Sequence, residues 1–88
     1  MSRLDEMQNI GKTLADKLIH AGISNAEELA VIGSESAFLR LRTIDRTACI
    51  NMLFAIEGAI QGIRWHGLDK TRKKELKEFY NMIILNEK

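Results

Sequence analysis

The sequence predicts an all-α protein, a compact bundle of about five or six short helices around a buried central one. Three observations carry this. The 88 residues contain no proline, so no ring removes a helical N–H or clashes with the preceding turn. Apolar residues recur at three- and four-residue spacings along most of the chain, the period of one face of an α-helix. Capping residues and glycines fall where those periodic stretches begin and end. Hydrophobic residues make up 45% of the chain, enough for a core, though a modest one at this length. One domain spanning residues 1–88 is expected.

Taken in order, Arg3 to Met7 reads as the end of a short helix, with Leu4 and Met7 three apart on one side. A sharp turn follows, and a second helix runs from Lys12 to Ala21. Its stripe of Leu14, Ala15, Leu18 and Ile19 faces inward. Gly22 is placed as the glycine just past the helix, Ile23 as the apolar residue that folds back on its last turn, and His20 sits at the negative end of the dipole. A third helix starts at Ser24, where Ser24-Asn25-Ala26-Glu27 has capping-box spacing, and buries Ala26, Leu29 and Ala30 before Gly33 stops it. Ser34 caps a fourth, from Glu35 to Leu41, burying Ala37, Phe38 and Leu41. The run Phe38-Leu39-Arg40-Leu41-Arg42 alternates as a strand would, but nothing in the chain offers a partner strand.

The central element is a fifth helix from about Thr47 to Arg64. Cys49, Leu53, Ile56, Ile60 and Ile63 form its spine, Ile50 and Phe54 widen the apolar face, and only Asn51, Glu57, Gln61 and Arg64 leave a polar strip. A helix apolar over most of its circumference is surrounded by other helices. Gly58 and Gly62 weaken it by about 1 kcal/mol each relative to alanine, so they are read as permitting a close helix crossing. Asp69 caps a sixth helix, from Lys70 to about Leu85, whose inner face is Leu76, Phe79, Tyr80, Ile83 and Ile84.

Net charge is +1, so the molecule is not a general polycation. The charge is uneven: residues 1–40 carry four Lys/Arg against six Asp/Glu, and residues 41–88 carry nine against six. Any nucleic-acid contact must come from a local face. The lone cysteine, Cys49, reads as a small buried hydrophobe. No histidine–cysteine spacing makes a metal site, no cofactor motif is present, and no nucleophile–base pair stands out, so a non-enzymatic protein without cofactor or metal is expected. Ser2 to Asn9 is polar and mixed in charge, unlike a signal peptide, and no apolar run spans a bilayer. A cytoplasmic protein without membrane contact follows; its oligomeric state is left open between monomer and weak dimer.

The stretch with the clearest chemistry is Asn9-Ile10-Gly11-Lys12-Thr13-Leu14-Ala15. Gly11 permits a positive φ or the close approach of another backbone, and Asn9 is the next best residue for a left-handed position. A helix beginning after Gly11 presents unpaired N–H groups and a positive dipole end, which suit a phosphate. The stretch resembles the helix-hairpin-helix motif, hydrophobic-x-Gly-hydrophobic-Gly-x-x-x-Ala: Ile10, Gly11 and Ala15 match, and Asn9 replaces the first glycine. The candidate DNA-backbone site is therefore Asn9, Ile10, Gly11, Lys12, Thr13 and Lys17. Secondary phosphate contacts are assigned to Arg40, Arg42 and Arg46 and to the basic stripe of Lys70, Lys73, Lys74 and Lys77, with Arg72 beside it and Glu75 and Glu78 diluting it.

A wider resemblance covers nearly the whole chain. The hairpin stretch through Leu18, Ala21-Gly22-Ile23, Ala26-Glu27-Glu28-Leu29, Ala37-Phe38-Leu39-Arg40-Leu41, Asn51 to Ala59 and Gly62-Ile63-Arg64-Trp65-His66 together resemble the C-terminal domain of the TfoX/Sxy family. The resemblance implies a compact helical domain with a helix-hairpin-helix or SAM-like start, present as a stand-alone copy without the N-terminal α/β domain of the usual regulator. It also implies a role in regulating DNA-uptake competence, in which family members help cyclic-AMP receptor protein activate its promoters. Two functions are compatible with the residues: weak DNA-backbone binding in support of transcription regulation, or docking to a transcription factor or RNA polymerase, with Trp65-His66 or Ile84-Leu85 as the contact.

Overall fold

Five α-helices and two 3₁₀ turns make up the computed structural model, which describes residues 2–87. The order is a 3₁₀ turn at Leu4–Glu6, α1 Lys12–His20, α2 Ala26–Ile32, α3 Ser34–Ile44, α4 Ile50–Gln61, a 3₁₀ turn at Trp65–Gly67, and α5 Lys70–Asn86. Among the described residues there is no strand, and none of the helices is long and apolar enough to cross a membrane. The all-α expectation holds, including the helical reading of Phe38–Arg42.

Helix ends follow local chemistry. Gly22 takes φ +91°, Gly22 N–H donates to the Ile19 carbonyl and Ile23 N–H to that of Leu18. These two bonds satisfy carbonyls left over at the end of α1, and the backward turn buries Ile23 completely. Gly62 repeats the arrangement at the end of α4, with φ +75° and Ile63 N–H bonded to the Gly58 carbonyl. Gly62 is thus a cap, not a crossing point inside a helix, and α4 stops three residues short of the predicted Arg64.

The start of α4 is also later than predicted. Asp45 accepts from the Thr47 N–H at 2.9 Å, and the Ala48 N–H bonds the Asp45 carbonyl. The resulting turn leaves Cys49 extended at the N-cap and exposed, not buried as predicted. Two other caps shift by one residue. Asn25, not Ser24, accepts from the Glu28 N–H at 2.9 Å, while Glu28 reaches back to the Ser24 N–H. Gly33 caps α3, which frees the Ser34 hydroxyl to donate to Glu57 at 2.6 Å.

The core joins Leu18, Ile23, Leu29, Phe38, Leu41, Leu53, Ile56 and Leu76, all fully buried. Predicted inner residues Ile19, Ala30 and Ile63 are exposed: Ile19 and Ala30 lie at the edges of their stripes, and Ile63 lies past the Gly62 cap that ends α4. Glu57, expected on a solvated strip, is 8% exposed. It accepts from Arg72 at 3.0 Å as well as from Ser34 and Gln61. Burial works against its charge, but these three donors hold its pKa below the ordinary glutamate value. Arg72 therefore belongs to an internal network that ties α3, α4 and α5 together, and not to the surface stripe.

Candidate nucleic-acid interface

The turn before α1 is held from a distance. Asn9 takes φ 70°, the sole positive φ outside glycine among the described residues. Its side chain points into the protein: Nδ2 donates to the Ile63 carbonyl at 2.8 Å and lies 3.4 Å from that of Ala55, while Oδ1 accepts from the Trp65 N–H at 3.2 Å. Asn9 thus supplies both the left-handed turn and its anchor, and it has no side-chain atom left for an external phosphate. Ile10 is 4% exposed and is an anchor as well.

Gly11 behaves differently from the expectation of a left-handed or crowded glycine. It is extended, with φ −91° and ψ −177°, and caps α1. A Cβ there would meet nothing within 4 Å. The crowded glycine is Gly58, where a Cβ would lie 2.6 Å from Asn9 Nδ2 and 2.8 Å from the Ile63 carbonyl oxygen. Close approach is therefore needed under the turn before α1, where the Asn9 side chain lies against α4.

Gly11, Lys12 and Thr13 are all exposed. No side chain caps α1, and its first turn holds no acidic residue. Open N–H groups with a positive dipole end and an ammonium at the rim form a place for an anion. Asp5 and Asp16 line the same hollow as Lys12; Asp5 is paired with Arg3 at 2.8 Å, and Asp16 lowers the local positive field.

Two predicted contacts are already engaged inside the protein. Lys17 binds Asp45 at 2.6 Å, and this ammonium, with the Thr47 hydroxyl and amide, lowers the Asp45 pKa from 3.8 to about 2. Arg42 is 8% exposed: it donates to the carbonyls of Arg46 and Ala48 at 2.7 Å each and pairs with Glu87, which raises its pKa further. A guanidinium so enclosed faces its own chain. Arg40 and Arg46 are exposed; Arg46 lines a hollow with Ile83, Asn86 and Glu87 at the far end of α5, and neither lines the groove of the predicted α5 stripe.

Four of them do come together. Lys70, Lys73, Lys74 and Lys77 rim a groove of about 350 Å³ floored by Phe54 of α4, with mostly apolar walls. The floor continues into a stack: Phe54 lies against Trp65 at 5.9 Å and 20°, and Trp65 against His66 at 3.9 Å and 27°. Lys73 donates to the His66 carbonyl at 3.3 Å. Because Trp65 N–H is bonded to Asn9, the turn before α1 and the floor of the lysine groove are joined through the 3₁₀ turn at Trp65–Gly67. Sequence reasoning placed Phe54 on the general apolar face of α4 and so missed this floor. The one signal was Trp65-His66, singled out as a contact surface. Among the described residues no group of three or more His, Cys, Asp or Glu is placed to hold a metal ion.

Comparison with known proteins agrees with this architecture. Two crystal forms of a Listeria monocytogenes protein, described as uncharacterized or of unknown function, superpose closely and are 51% identical. The triclinic form gives a TM-score of 0.90 over 91% of each chain, and the tetragonal form 0.89 over 91% of this chain and 98% of the other. Protein Sxy of Escherichia coli (strain K12) is 34% identical over 77 residues. That match takes in 88% of this chain but 37% of Sxy, so the chain spans little more than a third of that relative's length. Residues 1–80 match the family described as the TfoX C-terminal domain. The chain belongs to that family.

Proposed function

We propose that this chain is a non-enzymatic regulatory module that binds the nucleic-acid backbone through its hairpin in support of transcription regulation, in the manner of competence regulators. The observation that carries this reading is the start of α1: uncapped, free of acid in its first turn, and exposed at Gly11, Lys12 and Thr13. The Asn9 anchor holds these amides in a fixed direction, and the α5 lysines, which rim their own groove, add charge elsewhere on the molecule. Binding is backbone-directed, because amides and ammonium groups read phosphate and not base edges. The expected affinity is ~10⁻⁴–10⁻⁶ M with steep salt dependence, the range of non-specific contacts.

A second reading has its own observation. Met82 and Leu85, three apart on α5, are 62% and 65% exposed. An exposed apolar face of this kind suits docking to a transcription factor or RNA polymerase. Fluorescence anisotropy of a labelled duplex at low and physiological salt separates the two. For the hairpin reading, the duplex binds, binding weakens with salt, and Lys12→Glu removes it without changing the unfolding midpoint. Absence of binding by the folded protein at any salt would refute that reading and favour the α5 face.

A further inference from the structure

We infer that the groove between α4 and α5 takes an unpaired nucleobase, so that the nucleic acid this domain prefers is single-stranded. This inference rests on the nucleic-acid reading above and assigns the ligand of a face that reading uses only for charge. A duplex presents phosphates to a flat basic surface and has no use for an apolar floor. This groove has one. Lys70, Lys73, Lys74 and Lys77 occupy positions i, i+3, i+4 and i+7, a single face of α5, and no carboxylate lines the groove with them. Between their stems lies Phe54, half-buried and already stacked on Trp65. An aromatic floor beside a row of cations matches the two parts of a single strand, whose bases stack on aromatic rings while its phosphates meet ammonium groups. A volume of about 350 Å³ accommodates one base with part of its sugar. Trp65, stacked on Phe54, donates its N–H to Asn9, so the floor of the groove is fixed to the same turn that sets the start of α1.

The test compares a labelled thymidine oligonucleotide of about 12 nucleotides, within the usual site size, with a duplex of the same length. Anisotropy gives the affinities. Trp65 is the single tryptophan, so its fluorescence reports directly on the floor of the groove. The expected result is tighter binding of the single strand, with quenching of Trp65 that saturates at the same concentration. Phe54→Leu keeps an apolar side chain at this half-buried position but removes the ring, and should weaken single-strand binding roughly tenfold, the scale of one lost stack, while leaving duplex binding unchanged. Lys70→Gln with Lys74→Gln, both on exposed residues, should weaken the single strand without touching the core. Equal affinity for both forms, unaltered by Phe54→Leu, would overturn the inference and leave the hairpin reading standing. Failure to bind either form would overturn both, as would binding only of an acidic peptide such as polyglutamate.

Discussion

Replacing Gly58 by alanine should destabilise the protein, although alanine is the better helix former. In an exposed helix the change would stabilise by about 1 kcal/mol. Here the new Cβ would lie 2.6 Å from Asn9 Nδ2, 2.8 Å from the Ile63 carbonyl oxygen and 3.1 Å from Trp65 Cα. Two of these three neighbours are backbone and give way only if the segment after α4 moves. Overpacking of this kind costs ~1–3 kcal/mol. Displacing Asn9 also breaks the 2.8 Å bond to Ile63, worth a further ~1 kcal/mol. After subtracting the propensity gain, the net loss is about 1–3 kcal/mol, or roughly 4–8 °C in Tm for each kcal/mol in a domain of this size. Urea unfolding of Gly58→Ala beside Gly11→Ala is the assay. Gly11 has open space where a Cβ would go, so its substitution should shift stability by under ~1 kcal/mol, the difference between these residues at an N-cap. A Gly58→Ala midpoint equal to or above that of the parent would refute the argument, because it would mean that Asn9 is not seated against α4.

Three further outcomes follow from the geometry. Asp45 has its pKa lowered from 3.8 to about 2, so the Lys17–Asp45 pair contributes stability above pH 3.8 that is lost as pH falls toward 2. Lys17→Met should lower the urea midpoint near neutrality, with most of the difference closing over that acid range; a pH-independent difference would show that the pair is not the cause. Arg42→Ala leaves the buried Ala48 carbonyl and the part-buried Arg46 carbonyl without their donor and should cost about 2 kcal/mol, whereas a silent change in thermal unfolding would place Arg42 outside the structural framework. Cys49 should react with a thiol reagent in the folded protein as fast as an accessible free thiol, and a requirement for denaturant would contradict its exposed position.

What could be read in the sequence was local. The Gly22-Ile23 turn needs only residues within one helical turn of it, so spacing sufficed to place it. The left-handed character of Asn9 was equally legible, since asparagine tolerates that conformation. Its partners were not: Ala55, Ile63 and Trp65 lie 46 to 56 residues away, and no periodicity couples them to position 9. Charged residues failed for the same reason. Lys17 and Arg42 have the chemistry of phosphate ligands, but Asp45 and Glu87 claim them through contacts 28 and 45 residues apart in sequence. Glu57 was put at the correct angle around α4, on a polar strip. That strip faces Arg72 instead of water, and the helical pattern of α4 holds no information about what stands opposite. Cys49 and Gly62 were misplaced because an apolar run hides where a helix starts and stops when the deciding groups, Asp45 and a positive φ, lie at its margins.

The Glu57–Arg72 contact has a consequence for alignment. Apolar helix faces tolerate sliding, since leucine against isoleucine is nearly as good one turn along. A shift of α5 by one turn, about 5.4 Å, would bring Glu75 or Leu76 opposite Glu57 in one direction and Leu68 or Asp69 in the other. Neither direction supplies a cation, and Glu57 would be left charged and enclosed, a state that costs several kcal/mol. One guanidinium therefore selects a single axial setting for the whole helix. The four lysines are carried on that same helix, so the pair that no ligand touches decides which ammonium groups stand over Phe54.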